Sequence, residues 1–491
     1  MKSYQKLLER SKEVSLISAT SALLQWDQEI LLPKRGVDFR ADQLAWLGGK
    51  AHRLWTEDAV GEWIEAATDE VDAGSLDAVN VERCKYDYER ARKIPVALVE
   101  KSARVEAQGH ESWKEARAKS DFSRFAESLT ELVELSKQKA ELWGYTNVPY
   151  DALLEGYEPG LTASQVQDLF GPLASQLAEI CETAYSKVKD VHLPAGEYPV
   201  DQQKQFNAKV VEAVGFDLDR GRIDISVHPF SSGMGPHDNR ITTRYDARDF
   251  TSSFSGILHE AGHGMYEQGL RPEAHGTPCG SSVSLGIHES QSRFWENQIG
   301  RSHAFWEYWY PVAVEHFPQL QQISIEDLVA YVNHVKRSFI RVDASEIGYD
   351  LHVILRFEVE EKIFSGELAV SDIPGYWNER FKQLIGLEVQ DDAQGCLQDI
   401  HWSMGGFGYF PTYTLGSINA AQIYAAVEKT LGNVDQLLAA GRYSEILMFL
   451  RENIHQHGRR YLPNELMQLA TGSEPATDAF LSYFREKVER I

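Results

Sequence analysis

The chain has 491 residues and carries 73 acidic against 49 basic side chains, a formal net charge of −24. So large an acidic excess argues against nucleic acid and anionic membranes as partners. The four cysteines are scattered and show no C-x-x-C spacing, which indicates reduced thiols and a cytoplasmic setting. Apolar runs stay well short of the roughly 18 residues needed to cross a bilayer, so we expect a soluble protein.

Helical periodicity dominates the first part of the chain. Apolar residues such as Leu7, Val14 and Leu24 fall near helical spacing, as do Phe125 and Leu132 further on. Since no linker rich in Pro, Gly and Ser divides the chain, we expect a single domain.

Within that single domain of residues 1–491, three parts have different characters. Residues 1–220 are predicted to form a helical lobe, 221–415 the core of the functional site, and 416–491 a set of C-terminal helices. The predicted fold class is therefore mainly α.

Two short segments after Gly221 alternate like strands. Residues 222–226 and 240–245 are joined by a glycine-rich stretch, which predicts a small antiparallel sheet just before the next helix. The edge of such a sheet can hold an extended peptide through main-chain hydrogen bonds.

The strongest chemical signal in the chain lies between Gly256 and Tyr266. His259 and His263 are four apart, so on an α-helix they point the same way, about 40° apart. Two neutral imidazoles on one face can bind Zn²⁺, and Glu260 lies beside them to activate the metal-bound water. This is the H-E-x-x-H signature of zinc peptidases; the alternative is an accidental pair of histidines on a surface helix.

A third ligand decides between these readings. Glu289 follows His263 by 26 positions, across a loop rich in Gly, Pro and Ser. That length lets a second helix return antiparallel and present a carboxylate. Two His and one Glu leave a position open for water, as in a catalytic zinc site. The adjacent His288 is expected to lie beside the site rather than to bind the metal.

Further motifs flank this site in a fixed order. They are His228-Pro229-Phe230, the D-x-R-x-T pattern from Asp238 through Arg240 to Thr242, His288-Glu289-Ser290-Gln291, the segment 340–345, and the G-x-x-Q-D-x-H-W pattern from Gly395 through Gln398, Asp399 and His401 to Trp402. Together with H-E-x-x-H they resemble the carboxypeptidase Taq family of metallocarboxypeptidases over essentially the whole chain. One position departs from the family pattern, because Ser345 stands where the family has Asp.

The resemblance implies a large helical gluzincin fold with a deep cleft, and commonly a homodimer. It implies a metal that is zinc or, in some members, cobalt. It also implies that peptides with a free C-terminus lose single residues with broad specificity.

Roles for the catalytic residues follow from the chemistry of a zinc peptidase. The metal would lower the pKa of its bound water towards about 7 and polarise the scissile carbonyl. Glu260 would take the water's proton and pass it to the leaving amine. Tyr409 and Tyr413 are candidate donors to the oxyanion, with His401 behind them. The alternative for each tyrosine is ordinary packing.

An exopeptidase must also recognise a free carboxylate, which the planar guanidinium of arginine binds with two hydrogen bonds. Arg341 is the first candidate; alternatively it pairs with Asp343 or Glu346 and fixes a turn. Arg240 is the second candidate, and Asp238 is a further candidate substrate contact, although the two could instead form a structural ion pair.

Three further residues of the motifs are candidate substrate contacts. They are His228, which could line the cleft or cap a strand, and Gln398 and Asp399. Two other functions stay open. A zinc endopeptidase or oligopeptidase would cleave peptides with blocked C-termini, and a non-catalytic zinc-dependent peptide-binding protein would have no need of Glu260.

Overall fold

The computed structural model describes residues 2–490, and within that range lie twenty α-helices and three β-strands. This confirms the mainly α prediction. The helices are, in chain order, α1 (Ser3–Ile30), α2 (Val37–Thr56), α3 (Asp58–Thr68), α4 (Leu76–Arg92), α5 (Val96–Lys119), α6 (Ser123–Trp143), α7 (Pro149–Leu154), α8 (Ala163–Lys187), α9 (Val200–Val214), α10 (Phe250–Gly269), α11 (Leu285–Arg293), α12 (His303–His316), α13 (Ile325–Val332), α14 (Glu346–Ser365), α15 (Ile373–Ile385), α16 (Pro411–Leu431), α17 (Val434–Ala439), α18 (Ser444–Asn453), α19 (Pro463–Thr471) and α20 (Asp478–Arg490). No helix in this range combines the length and the apolar character needed to span a bilayer.

The sheet is mixed rather than purely antiparallel. Its strands are β1 (Gly221–Ile225), β2 (Ser231–Gly235) and β3 (Asp238–Thr243), in the order β1-β3-β2. β2 and β3 pair antiparallel, whereas β1 and β3, the pair predicted to be antiparallel, run parallel. The prediction was wrong for that pair because the glycine-rich stretch read as a connection contains β2, and glycine weakens the sequence signal of a strand.

Two large hydrophobic cores fill most of the molecule. The first is built mainly by α5–α8, α14, α15 and α20, and the second by α9–α13 and α17–α19. Helix α16 contributes to both, since Leu415 and Ile418 belong to the first core and Ala420 and Ile423 to the second. The seam between the cores therefore runs along α16.

Helix α11 is fixed between two other helices by glycines. A Cβ atom at Gly262 of α10 would lie 2.4 Å from the carbonyl oxygen of Gln291 on α11. A Cβ atom at Gly416 of α16 would lie 2.5 Å from Cγ of Glu289 on the same helix. Only glycine permits such close backbone approach, so α10, α11 and α16 form one tightly packed layer.

Candidate metal centre and substrate site

His259, His263 and Glu289 converge as the sequence predicted. Oε2 of Glu289 lies 3.6 Å from Nε2 of His259 and 3.3 Å from Nε2 of His263. One ligand atom from each of the three residues lies within 4.8 Å of the others. Both histidines lie on α10 and the carboxylate on α11, so the packing of these two helices creates the site.

The outer nitrogens of both histidines are already engaged. Nδ1 of His259 lies 2.8 Å from Oε2 of Glu296, and Nδ1 of His263 lies 2.6 Å from Nδ1 of His288. These hydrogen bonds leave each Nε2 free to face Glu289. Metal-binding histidines are oriented in this way in other proteins.

Glu289 is held in its charged form. It is 7% exposed, and its Oε1 accepts a hydrogen bond of 2.7 Å from Nε of Arg293, while the Ser292 hydroxyl donates to Oε2 at 3.0 Å. Burial opposes ionisation, but Arg293 and the two histidines outweigh it and hold the pKa of Glu289 well below its usual range. An anionic oxygen ligand is therefore available at neutral pH.

The donor set fits a zinc ion. Two imidazole nitrogens and one carboxylate are the ligands of many catalytic zinc sites, and they leave room for water or substrate. Burial lowers the pKa of His263 to about 4, so its imidazole is neutral as a ligand must be. For His259, burial is outweighed by Glu289 and Glu296, which raise its pKa to about 9. The carboxylates around His259 therefore favour a positive charge at this site. A metal ion can supply that charge in place of the proton on His259.

Glu260 lies on the same helix and is 6% exposed. Burial raises its pKa to about 7. A carboxylate with a pKa near neutrality is suited to accept and return a proton at physiological pH.

Three predicted catalytic residues, His401, Tyr409 and Tyr413, lie close to one another. Nε2 of His401 is 3.3 Å from the Tyr413 hydroxyl, and the rings of Tyr409 and Tyr413 are 5.3 Å apart. Burial raises the pKa of both tyrosines, and the charge of Glu289 raises both further. Burial also lowers the pKa of His401 to about 4, so this imidazole is neutral.

Arg341 is 5% exposed and is held mainly by Asp399. Its Nε and Nη2 lie 3.1 and 2.9 Å from Oδ1 of Asp399, and its Nη1 donates to the Tyr349 hydroxyl at 2.6 Å. Neither Asp343 nor Glu346, the partners considered from the sequence, takes this role. Arg356 binds the other oxygen of Asp399 at 2.6 Å, so two buried guanidinium groups share one carboxylate.

Gln398 supports the same cluster. Its Oε1 accepts a hydrogen bond of 2.8 Å from the backbone of Arg341, and its Nε2 donates to backbone carbonyls, among them that of Phe339 at 3.1 Å. The side chain therefore connects the loop of the last motif to the segment that carries Arg341.

The other predicted substrate residues lie in the sheet region. Arg240 pairs with Asp238 through two hydrogen bonds of 2.8 Å and lies 4.5 Å over the ring of Trp26. This is the structural ion pair considered as its alternative. His228 is exposed, and its carbonyl accepts a hydrogen bond from Ser226.

Several residues that organise the site were not predicted. Arg293 follows Glu289 by one helical turn, and Glu267 follows His263 by one turn, so the i, i+4 spacing could have indicated both. Glu296 lies in a π-helical turn, Phe294–Ile299, whose altered periodicity hid it. No sequence motif marked Tyr349, because its contacts with Arg341 and Arg293 exist only in the folded structure.

Comparisons with known proteins agree with this geometry. Residues 6–488 match the family described as Carboxypeptidase Taq (M32) metallopeptidase. The chain is 41% identical to thermostable carboxypeptidase 1 of Thermus thermophilus, covering 99% of this chain and 98% of that protein. It is 38% identical to carboxypeptidase 1 of Bacillus subtilis, covering 98% and 97%.

Solved structures of similar proteins have the same fold. The M32 carboxypeptidase of Deinococcus radiodurans superposes with a TM-score of 0.97 at 37% identity, covering 99% of this chain and 98% of that one. The Pyrococcus furiosus carboxypeptidase gives a TM-score of 0.96 at 34% identity, covering 99% of both chains. The helical fold, the H-E-x-x-H helix and the returning glutamate therefore have one explanation: the chain is a metallocarboxypeptidase of the carboxypeptidase Taq (M32) family.

Proposed function

We propose that this carboxypeptidase uses zinc, bound by His259, His263 and Glu289, to release single residues from peptides that have a free C-terminus. The observation that carries this proposal is the convergence of two Nε2 atoms and one buried carboxylate beside Glu260. When bound, zinc supplies Lewis-acid chemistry that activates water and polarises the scissile carbonyl. The donor set accepts cobalt as well, so the metal content of the purified protein decides between them.

The residues of the chain divide the remaining chemistry among them. Glu260 accepts a proton from the attacking water and delivers it to the nitrogen of the leaving amino acid. Tyr409 and Tyr413 donate hydrogen bonds to the oxygen on which negative charge develops. His401 hydrogen-bonds Tyr413, and since it is neutral it accepts from or donates to the hydroxyl without adding charge.

Recognition of the free carboxylate is assigned to Arg341, held in place by Asp399 and Gln398. Three of the five guanidinium N–H groups bind Asp399 and Tyr349, which leaves one hydrogen on each of Nη1 and Nη2. The ring of Tyr413 lies 4.9 Å from this guanidinium. The proposal therefore places the substrate carboxylate against these two hydrogens, in the plane of the guanidinium group.

We expect Arg341→Ala to weaken transition-state binding of free-ended peptides by on the order of 2–5 kcal/mol, because a charged partner is lost at a desolvated site. The value of kcat/KM falls accordingly. Hydrolysis of peptides with free and amidated ends measures the effect, and the residual rate should discriminate poorly between them. Arg240→Ala is the matched control and should leave the preference intact. If Arg341→Ala keeps the full preference for a free end while Arg240→Ala loses it, the role belongs to Arg240.

Three broader properties belong to the same proposal: broad specificity, a cytoplasmic location and a homodimer. The four cysteines, Cys84, Cys181, Cys279 and Cys396, are all buried free thiols. Free thiols are typical of reducing compartments. Sedimentation of the purified protein tests the dimer, and a stable monomer would contradict it.

A further inference from the structure

A chain of hydrogen bonds leads away from the candidate metal centre through residues with no assigned role. Nδ1 of His263 lies 2.6 Å from Nδ1 of His288, and Nε2 of His288 lies 3.0 Å from Oε1 of Glu267. The two imidazole rings are 4.7 Å apart, and His288 also packs against Tyr266. His288 is thus clamped between a metal ligand and a carboxylate.

The carboxylate of Glu267 determines the direction of both hydrogen bonds that link it through His288 to His263. A carboxylate accepts hydrogen bonds and does not donate them, so Nε2 of His288 must carry the hydrogen in its bond to Glu267. In a neutral imidazole the other nitrogen then has no hydrogen, so Nδ1 of His288 accepts. Nδ1 of His263 must therefore donate, which leaves Nε2 of His263 with its lone pair facing Glu289.

The position of Glu267 is fixed from the other side by the sheet. A Cβ atom at Gly233 of β2 would lie 3.2 Å from Oε2 of Glu267, so the strand backbone approaches this carboxylate closely. Glu267 also lies one helical turn after His263 on α10, the spacing that brings side chains to the same face. The carboxylate therefore lies between the strand backbone and His288.

We propose that Glu267 and His288 are positioning residues that act in series to hold His263 in its metal-binding tautomer. The two ligand histidines are then set up differently. His259 donates directly to a carboxylate, that of Glu296, whereas His263 reaches its carboxylate through a second imidazole. Removal of either member of the relay frees the opposite tautomer, in which Nε2 of His263 carries a hydrogen and cannot bind a metal.

The test is a double-mutant cycle on zinc affinity. Zn²⁺ alone is titrated into the metal-free full-length protein against a competing chelator, for the wild type, His288→Leu, Glu267→Leu and the double variant. Partners of metal-binding histidines typically contribute about 10–100-fold in affinity, and we expect each single variant to lose that much. Since Glu267 acts only through His288, the double variant should be no weaker than His288→Leu.

Two conservative variants separate positioning from packing. His288→Asn and Glu267→Gln each retain an oxygen that accepts the hydrogen bond, so both should recover most of the lost affinity. Thermal unfolding of the metal-free proteins shows whether the leucine variants fold. If a leucine variant fails to fold, the zinc affinities of the asparagine and glutamine variants test the proposal instead. Zinc affinity unchanged in His288→Leu, losses that multiply in the double variant, or no recovery by the conservative variants would overturn the proposal.

Discussion

The candidate metal centre is a balance of buried charges. Glu260, Glu289 and Glu296 bring three carboxylates into one buried region, and Arg293 and Arg301 bring two guanidinium groups. Burying charges is costly unless each is paired, and the arginines pair two of the carboxylates. The remaining carboxylate, Glu260, lies on the helix that carries both histidines, so a divalent cation bound there would complete the compensation.

The role of Glu289 as a ligand gives the first prediction at this scale. Glu289→Gln keeps the shape of the side chain but removes its charge, so zinc affinity should fall by more than the roughly 10–100-fold typical of residues that only support a ligand. Because the variant also leaves Arg293 without its main partner, stability should fall as well. Metal analysis after dialysis against chelator measures the first effect and thermal unfolding the second. Full zinc retention would remove Glu289 from the site.

At the scale of elements, the position of α11 decides whether the site exists. Gly262 and Gly416 allow α10 and α16 to approach it from two sides, and its N-terminus is hydrogen-bonded by a buried carboxylate. That carboxylate is Glu158, which accepts from the backbone N–H of Gly286. Glu289 is therefore placed by contacts that involve no other metal ligand.

We expect Gly416→Ala to weaken zinc binding although it removes no ligand atom. The added methyl group would collide with the side chain of Glu289, and overpacking of this kind typically costs about 1–3 kcal/mol of stability. Gly48→Ala is the matched control, since Gly48 lies in the middle of α2 with nothing within 4 Å of the new methyl group. It should be neutral or stabilising by up to about 1 kcal/mol. Equal zinc affinity in the two variants would contradict the account of α11.

The carboxylate of Glu158 makes the stability of this region depend on pH. Burial raises its pKa to about 7, above the ordinary value of 4.5, although the Gly286 N–H favours the charge. Between those two values the unfolded chain has lost the proton and the folded chain has kept it, so stability falls as pH rises from about 5 to about 7. Glu158→Gln should remove the contribution of Glu158 to this loss of stability, which is up to roughly 3 kcal/mol of unfolding free energy.

Denaturant unfolding of the wild type and Glu158→Gln at pH 5 and pH 8 measures that difference. The glutamine variant should gain relative to the wild type on going to pH 8. Asp350 and Glu360 also have pKa values of about 7 and contribute equally to both proteins, so only the difference between them is diagnostic. A difference that is the same at both pH values would contradict the raised pKa.

The same elements show what the sequence could predict. The helix with His259 and His263 follows from local spacing, and Glu289 from the motif that returns after it. The partner of Arg341 could not be predicted, because Asp399 lies 58 positions away and only the folded chain brings the two together. The strand β2 was missed because its glycines carry no strand signal. Only its pairing with β3 makes it a strand.

At the scale of the whole molecule, the two halves of the site belong to different cores. Ile257 and Ile287, from the helices of the metal ligands, pack in the second core, whereas Tyr349 and Phe410, beside Arg341, pack in the first. Helix α16 joins the cores and carries Tyr413 near its start. Any change in how the cores meet would alter the distance between the proposed catalytic residues and Arg341, the proposed carboxylate-binding residue.

The central claim is that this site removes C-terminal residues with a bound metal and with Glu260 as the proton carrier. Mass spectrometry of one peptide, with a free and with an amidated C-terminus, tests it most directly, for the wild type and Glu260→Gln, with and without chelator. We expect a ladder of products shortened one residue at a time from the free-ended peptide only. Chelator should abolish the ladder, and Glu260→Gln should bind zinc normally yet lose nearly all turnover, since an amide cannot accept the proton. Cleavage within the amidated peptide, or wild-type turnover by Glu260→Gln, would contradict the account.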